Sequence, residues 1–256
     1  MESTKNCNDI NESPVSSSLM NYTLLSELFI YPVDEQYKQK VHDIYTYLQT
    51  ALPEAAEALQ RFAAYTSSAS VTGIQELFLR SFDVQAITTL DIGFVLFGED
   101  YKRGKLLAHL NEEHKKAGNS CHTELADHLP NLLRLLPKMK DEELQKEIAT
   151  LLLLPAVEKM ISEFTIEKIE KKDVVYKKHQ KVILEYSQNY RTIYQSCLQA
   201  LILALEKDFG FESESDKTEA GAATGLSDPN NPASSKEETV IKDFSLNIET
   251  EMLTEK

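Results

Sequence analysis

The chain has 256 residues, 42% hydrophobic and 27% charged, with only eight glycines, eight prolines and a formal charge of −14. That length holds one sizeable core with room for a tail, and so few turn-forming residues exclude a turn-rich all-β protein. An acidic chain with no basic stripe is a poor ligand for phosphate backbones or anionic membranes; a basic peptide or protein suits its field, unless the acidic surface is merely solvated.

Residues 1–18, MESTKNCNDINESPVSSS, are polar and rich in Ser and Asn, and read as a flexible segment without the charged-then-apolar pattern of a secretory signal. Helical text begins at Leu19. LMNYTLLSELFI is expected to stop at Pro32, and DEQYKQKVHDIYTYLQTAL carries apolar positions at helical spacing up to Pro53. Pro53 suits the first turn of PEAAEALQRFAAY, because its missing N–H would have no helical acceptor there.

VQAITTLDIGFVLFG, Val84 to Gly98, is β-branched with two glycines, so local propensity alone suggests a strand. GEDYKRGK, which follows, has five residues between its glycines and Leu106 after Lys105. A phosphate loop needs four residues and a following Ser or Thr, so that reading is rejected.

Metal and nucleophile chemistry find no better footing. His109 and His114 are five apart, which turns them away from each other on a helix, and Cys121–His122 are neighbours whose side chains diverge. Cys7, Cys121 and Cys197 are scattered, with no paired spacing, and read as reduced thiols of a cytoplasmic protein. There is no nucleophile elbow either. We expect no enzyme activity, no metal and no cofactor.

ELADHLP, Glu124 to Pro130, leads into the apolar run NLLRLL. Pro130 places a helix start within a few residues. Asp127 would then complement the helix dipole and cap free N–H groups, while His128 would be a satisfied buried side chain. Nearer the end of the chain, Val175, His179, Val182, Tyr186, Tyr190, Ile193, Cys197 and Leu201 step by three or four residues, one apolar stripe over about eight turns. After Gly210 the composition turns small, polar and acidic. Phe211 to Lys256 carries 4 basic and 11 acidic residues, a net of 4 − 11 = −7. Such a stretch buries too little apolar surface to offset its ordering entropy, and we expect disorder there. The domain reading is therefore a flexible segment at 1–18, one helical domain at 19–209 and an acidic tail at 210–256.

Three segments together resemble the NarJ/TorD-type chaperones that assemble molybdenum enzymes, most closely the nitrate reductase branch. LLSELFIYP (Leu24 to Pro32) resembles that family's opening helix with its Tyr-Pro end. ELFLRSFD and LFGEDYKRGKLLAHL resemble its central block, with a Gly–acid…Arg–Gly pattern at Gly98, Glu99, Arg103 and Gly104. ELADHLPNLLRLL resembles its Glu-Leu-Pro-Asp-His-Leu-Pro signature and leucine-rich helix. The likeness runs from about Leu19 to Leu205. Ala126 stands where the family has a proline, and the acidic tail has no counterpart.

The resemblance implies an all-α single domain without catalytic turnover. It implies a chaperone that binds the N-terminal segment of an immature, nitrate-reductase-like catalytic subunit. The subunit is held competent for insertion of its molybdenum–pterin cofactor before assembly or export. The implied partners are that apo subunit and, as a second class, cofactor-delivery proteins, with no nucleic acid and no stable membrane association. The implied client-binding residues are Asp127 and His128, with Glu124 and Pro130 shaping their turn, and Phe97, Glu99 and Arg103 in the central block, which would be loop or helix beside a groove rather than strand. Two alternatives stand beside it: a structural subunit of the mature oxidoreductase, or an enzyme acting on a nucleotide or the cofactor.

Overall fold

The computed structural model describes residues 19–172 and 191–210. Among them the regular structure is helical, with no strand. The expected all-α fold is what forms. The expectations for 1–18, for the first five positions of the long stripe and for the acidic tail lie outside the described residues.

Helix α1 (Tyr22–Ser26) starts on Asn21, whose side chain accepts from the Leu24 N–H, and tightens into a 3₁₀ turn at Glu27–Phe29. The chain is already extended at Ile30, and Pro32 then disfavours the helical region for Tyr31, the residue just before it. Helix α2 (Gln36–Ala51) buries Tyr37, Val41, Ile44 and Leu48, spaced by three and four residues. Helix α3 (Pro53–Ser68) does carry Pro53 in its first turn and presents Ala55, Ala56, Leu59 and Phe62 to the core. Ser70 caps α4 (Val71–Phe82) through the Gly73 N–H, and Asp100 caps α6 (Tyr101–Lys116) through that of Lys102.

Between α4 and α6 the propensity-based strand does not form. Residues 84–91 are irregular, and Ile92–Phe97 is a short helix, α5, closed by Gly98 at φ 65°, a conformation that favours glycine. Among the described residues its single extended contact is an antiparallel bridge between Asp91 and His128. Among the described residues the β-branched run has no neighbouring strand to complete a ladder, and α6 and residues 148–163 cover its helical form.

Helix α7 (Leu129–Leu135) packs on α1. Helix α8 (Glu142–Glu147) continues through a π-helical stretch at Ile148–Leu153 into α9 (Leu154–Glu163). Pro155, in the first turn of α9, has no N–H for the carbonyl four residues back, and the wider π register accommodates that loss. Helix α10 (Gln195–Phe209) closes the domain against α3 and α9. Of the predicted stripe, Ile193, Cys197 and Leu201 are buried, but 191–194 forms a turn and helix begins only at Gln195.

The core centres on Tyr194, outside that stripe. Its ring lies 4.8 Å from Phe62, 4.9 Å from Phe82 and 5.8 Å from Phe78. Its hydroxyl meets that of Tyr37 at 3.2 Å, and the Tyr37 hydroxyl donates to the Leu28 carbonyl. Burial pushes both phenols far above their ordinary range, so they stay neutral. No helix among the described residues is long and apolar enough to cross a membrane.

The two ends of the domain are joined by one carboxylate. Asp208 on α10 accepts from the Met20 N–H at 2.6 Å and from the Tyr22 hydroxyl at 2.9 Å. Asp208→Ala leaves the Met20 N–H without its acceptor and the Tyr22 hydroxyl with the Ala204 carbonyl alone, and is expected to cost about 2 kcal/mol. A fall in urea midpoint with unchanged slope would register it. An unchanged midpoint would mean that water replaces the carboxylate without loss.

Candidate functional site

The ELADHLP loop is held by side chains from both sides. His114 on α6 donates through Nε2 to the Ala126 carbonyl at 3.0 Å, while its Nδ1 accepts from Asn119 at 2.9 Å. Burial lowers the His114 pKa and favours this neutral form, the Ala126 hydrogen bond opposing. Asn131, fully buried, donates to the Leu125 carbonyl at 2.8 Å. The alanine at position 126 therefore does not leave the turn slack, since its carbonyl and its neighbour's are both pinned.

Beyond that loop the backbone is extended for a few residues. Ile92 donates to the Asp127 carbonyl and Leu129 to the Leu90 carbonyl, the two bonds flanking the Asp91–His128 bridge. This is the non-hydrogen-bonded pairing, in which facing side chains stand closest. Successive side chains on extended backbone point to opposite faces, so Asp127 and His128 part company. His128 faces across to Asp91, with Nδ1 3.0 Å from Asp91 Oδ1. Asp127 turns inward and is fully buried.

Inside, Asp127 Oδ2 accepts from Arg103 Nε at 2.9 Å and from the Gly93 N–H at 3.1 Å. Arg103 also reaches outward, donating to Asp91 Oδ2 at 2.9 Å. A single guanidinium thus ties the buried carboxylate to the outer one. The helix that Asp127 caps is α5, through Gly93, and not the α7 helix that follows it in sequence. At the start of α7, His128 takes the cap position without a side-chain cap bond. The sequence expectation of a cap was right in kind and wrong in target.

The outer pair faces a groove of about 740 Å³. Its apolar wall consists of Phe29, Tyr31, Phe78, Leu79, Phe82 and Leu90, with the Tyr31 ring set edge-on to Phe78 at 5.6 Å. Glu27, Asp83, Asp91 and Glu124 supply carboxylates, while Lys40 and Arg134 supply cations. Lys40 is engaged by Glu27 and Arg134 by Asn131, so neither is idle. An apolar wall edged by more carboxylate than cation is suited to a segment carrying both an apolar face and basic side chains.

Of the residues singled out in the sequence, Glu124, His128 and Pro130 line this groove. Asp127 and Arg103 lie behind it, as a support. Phe97 packs partly buried at the end of α5, and Glu99 sits exposed in the turn before α6; neither lines the groove. Asp91 and the aromatic wall were not singled out as site residues, although Phe78, Phe82 and Tyr31 fall inside the segments carrying the resemblance. No group of His, Cys, Asp or Glu among the described residues is placed to hold a metal ion.

No family model matches the chain, and no curated protein matches it. The groove must therefore be read from its own chemistry.

Asp91 has its pKa lowered, first by the hydrogen bond from His128 against the opposing effect of burial, then by the charges of His128 and Arg103. A carboxyl whose folded pKa lies below its unfolded value of about 3.9 stabilises above that value and loses this contribution as pH falls through the folded pKa. The stability advantage of the wild type over Asp91→Asn is expected to be present at pH 5 and to shrink progressively below about pH 4. Urea titrations of both proteins across that window check this. A gap of constant size down to about pH 2 would contradict it.

Proposed function

We propose that the protein is a non-enzymatic assembly chaperone of the NarJ/TorD type. It binds the N-terminal segment of an immature molybdenum oxidoreductase subunit, nitrate-reductase-like, and keeps that subunit open for cofactor insertion. The observation that carries this reading is convergence. Tyr31 comes from the opening segment of the resemblance, Phe78 and Phe82 from its central block, and Glu124, His128 and Pro130 from its third segment, and all of them line one groove.

These segments, far apart in sequence, meet at a groove of suitable chemistry. Apolar contact with the aromatic wall would supply most of the affinity. The carboxylates would orient a basic segment and speed its encounter. An occupant held by such a groove can be released without covalent change, as a chaperone requires.

Disruption of the gene in the native cells tests the proposal. The expected result is a molybdenum oxidoreductase that accumulates without its metal and without activity, restored by the wild-type gene. Molybdenum oxidoreductases with full metal content and activity in the disrupted strain would refute it.

A further inference from the structure

The carboxylate adjacent to His128 in sequence is not the one beside it at the groove. We infer that Asp91 is the groove carboxylate that contacts a basic side chain of the bound segment, and that Asp127, Arg103 and Gly93 are positioning residues that hold it there. This assignment rests on the chaperone reading and names the residue through which that groove would recognise charge.

Charge and geometry give the direction. Asp127 is fully buried, and its Oδ2 already accepts from Arg103 and Gly93. It has no surface to offer. Arg103 carries one positive charge and serves two carboxylates, so the group retains one negative charge when the imidazole is neutral. That charge is presented at Asp91, whose side chain is 28% exposed and lines the groove. A carboxylate has about four lone-pair sites. Arg103 and His128 use one on each oxygen, leaving acceptor capacity toward the groove.

The support depends on a missing methyl. A Cβ at Gly93 would lie 2.6 Å from Asp127 Oδ2 and 3.2 Å from Arg103 Cγ. The Asp127 carboxylate occupies the space that glycine leaves, takes the Gly93 N–H, and from there fixes the guanidinium that fixes Asp91. Backbone bonding on either side of the Asp91–His128 bridge holds the pair on the same face. Neighbours in sequence could not be arranged so; cross-strand neighbours can.

The test is calorimetric titration of the full chain. The probe is a synthetic peptide of the N-terminal segment of the nitrate-reductase-like catalytic subunit of the native cells, and the same peptide with its Arg and Lys replaced by Gln. Wild type should bind the native peptide at least tenfold more tightly than the Gln peptide. Asp91→Asn should lose at least tenfold for the native peptide and discriminate far less between the two, a double-mutant coupling that general loosening of the fold would not produce. Asp127→Asn and Gly93→Ala should weaken binding too. Asp91→Glu, which keeps the charge, should recover part of the discrimination. Undiminished discrimination by Asp91→Asn overturns the assignment while leaving the chaperone reading intact. Failure of the wild type to bind either peptide sinks both.

Discussion

Asp127→Ala is expected to lower the stability of the domain by about 3 kcal/mol, because it removes one partner from a buried ion pair and leaves the other. Arg103 would lose its Nε acceptor, held at 2.9 Å, and would keep one carboxylate partner, Asp91, and its place over the Phe94 ring. The Gly93 N–H, near the start of α5, would lose its acceptor as well. A domain of this size has roughly 5–15 kcal/mol in total, so the variant should still fold. Urea unfolding should show a lower midpoint at unchanged slope, with helicity close to wild type below the transition. Glu124→Ala, exposed at the groove, should by contrast stay within about 0.5 kcal/mol. Should Asp127→Ala match the wild type in stability, Asp127 would not be the inner anchor of the network. Under the proposed function the same variant should also bind its client more weakly, with helicity retained.

Phe82→Ala should be costlier still, about 4 kcal/mol, since truncating a buried phenylalanine forfeits both transfer free energy and packing. Phe82 sits where the groove wall becomes the core. Its ring is 4.9 Å from Tyr194, 5.3 Å from Phe78, 6.4 Å from Phe164 and 6.5 Å from Phe29. Removing it would strip Tyr194 of an edge-on neighbour and open the groove floor toward the centre of the molecule. Phe82→Leu keeps most of the volume and should lose much less, roughly 1–1.5 kcal/mol. Thermal and urea unfolding of the two variants side by side measures this. Equal stability of Ala and Leu at this position would mean that the site collapses freely and that the aromatic cluster is not a rigid floor.

The two expectations differ in how far they could be read from the chain. Helices α2 and α3 were legible because Tyr37, Val41, Ile44 and Leu48 repeat at helical spacing and Pro53 marks a boundary. Local pattern decides such elements. At Val84 to Gly98 it misled, because strand propensity expresses packing on a neighbouring ladder, and among the described residues the segment meets only the Asp91–His128 bridge.

The site shows the same division. Glu124, His128 and Pro130 were singled out by the resemblance of ELADHLP to a family signature, and all three line the groove. Asp127 was found for its place beside His128, yet that very adjacency sends it to the opposite face. Asp91 could not have been chosen from the sequence as the partner of His128. Their pairing is a contact across 37 positions, created when Leu90, Ile92, Asp127 and Leu129 exchange backbone hydrogen bonds. His114 was weighed only as a metal ligand. Its task, holding the Ala126 carbonyl, becomes visible only once α6 lies against the loop.

Under the proposed function, this protein and its client are together before the metal arrives, and not afterward. Affinity purification of the full chain from its native cells, with mass spectrometry and molybdenum analysis of the co-purifying proteins, tests that most directly. The expected result is the catalytic subunit of a molybdenum oxidoreductase carrying little or no molybdenum. Recovery of a fully metallated multisubunit oxidoreductase would make this chain a structural subunit instead. Absence of any such subunit, in cells expressing the enzyme, would contradict the account outright.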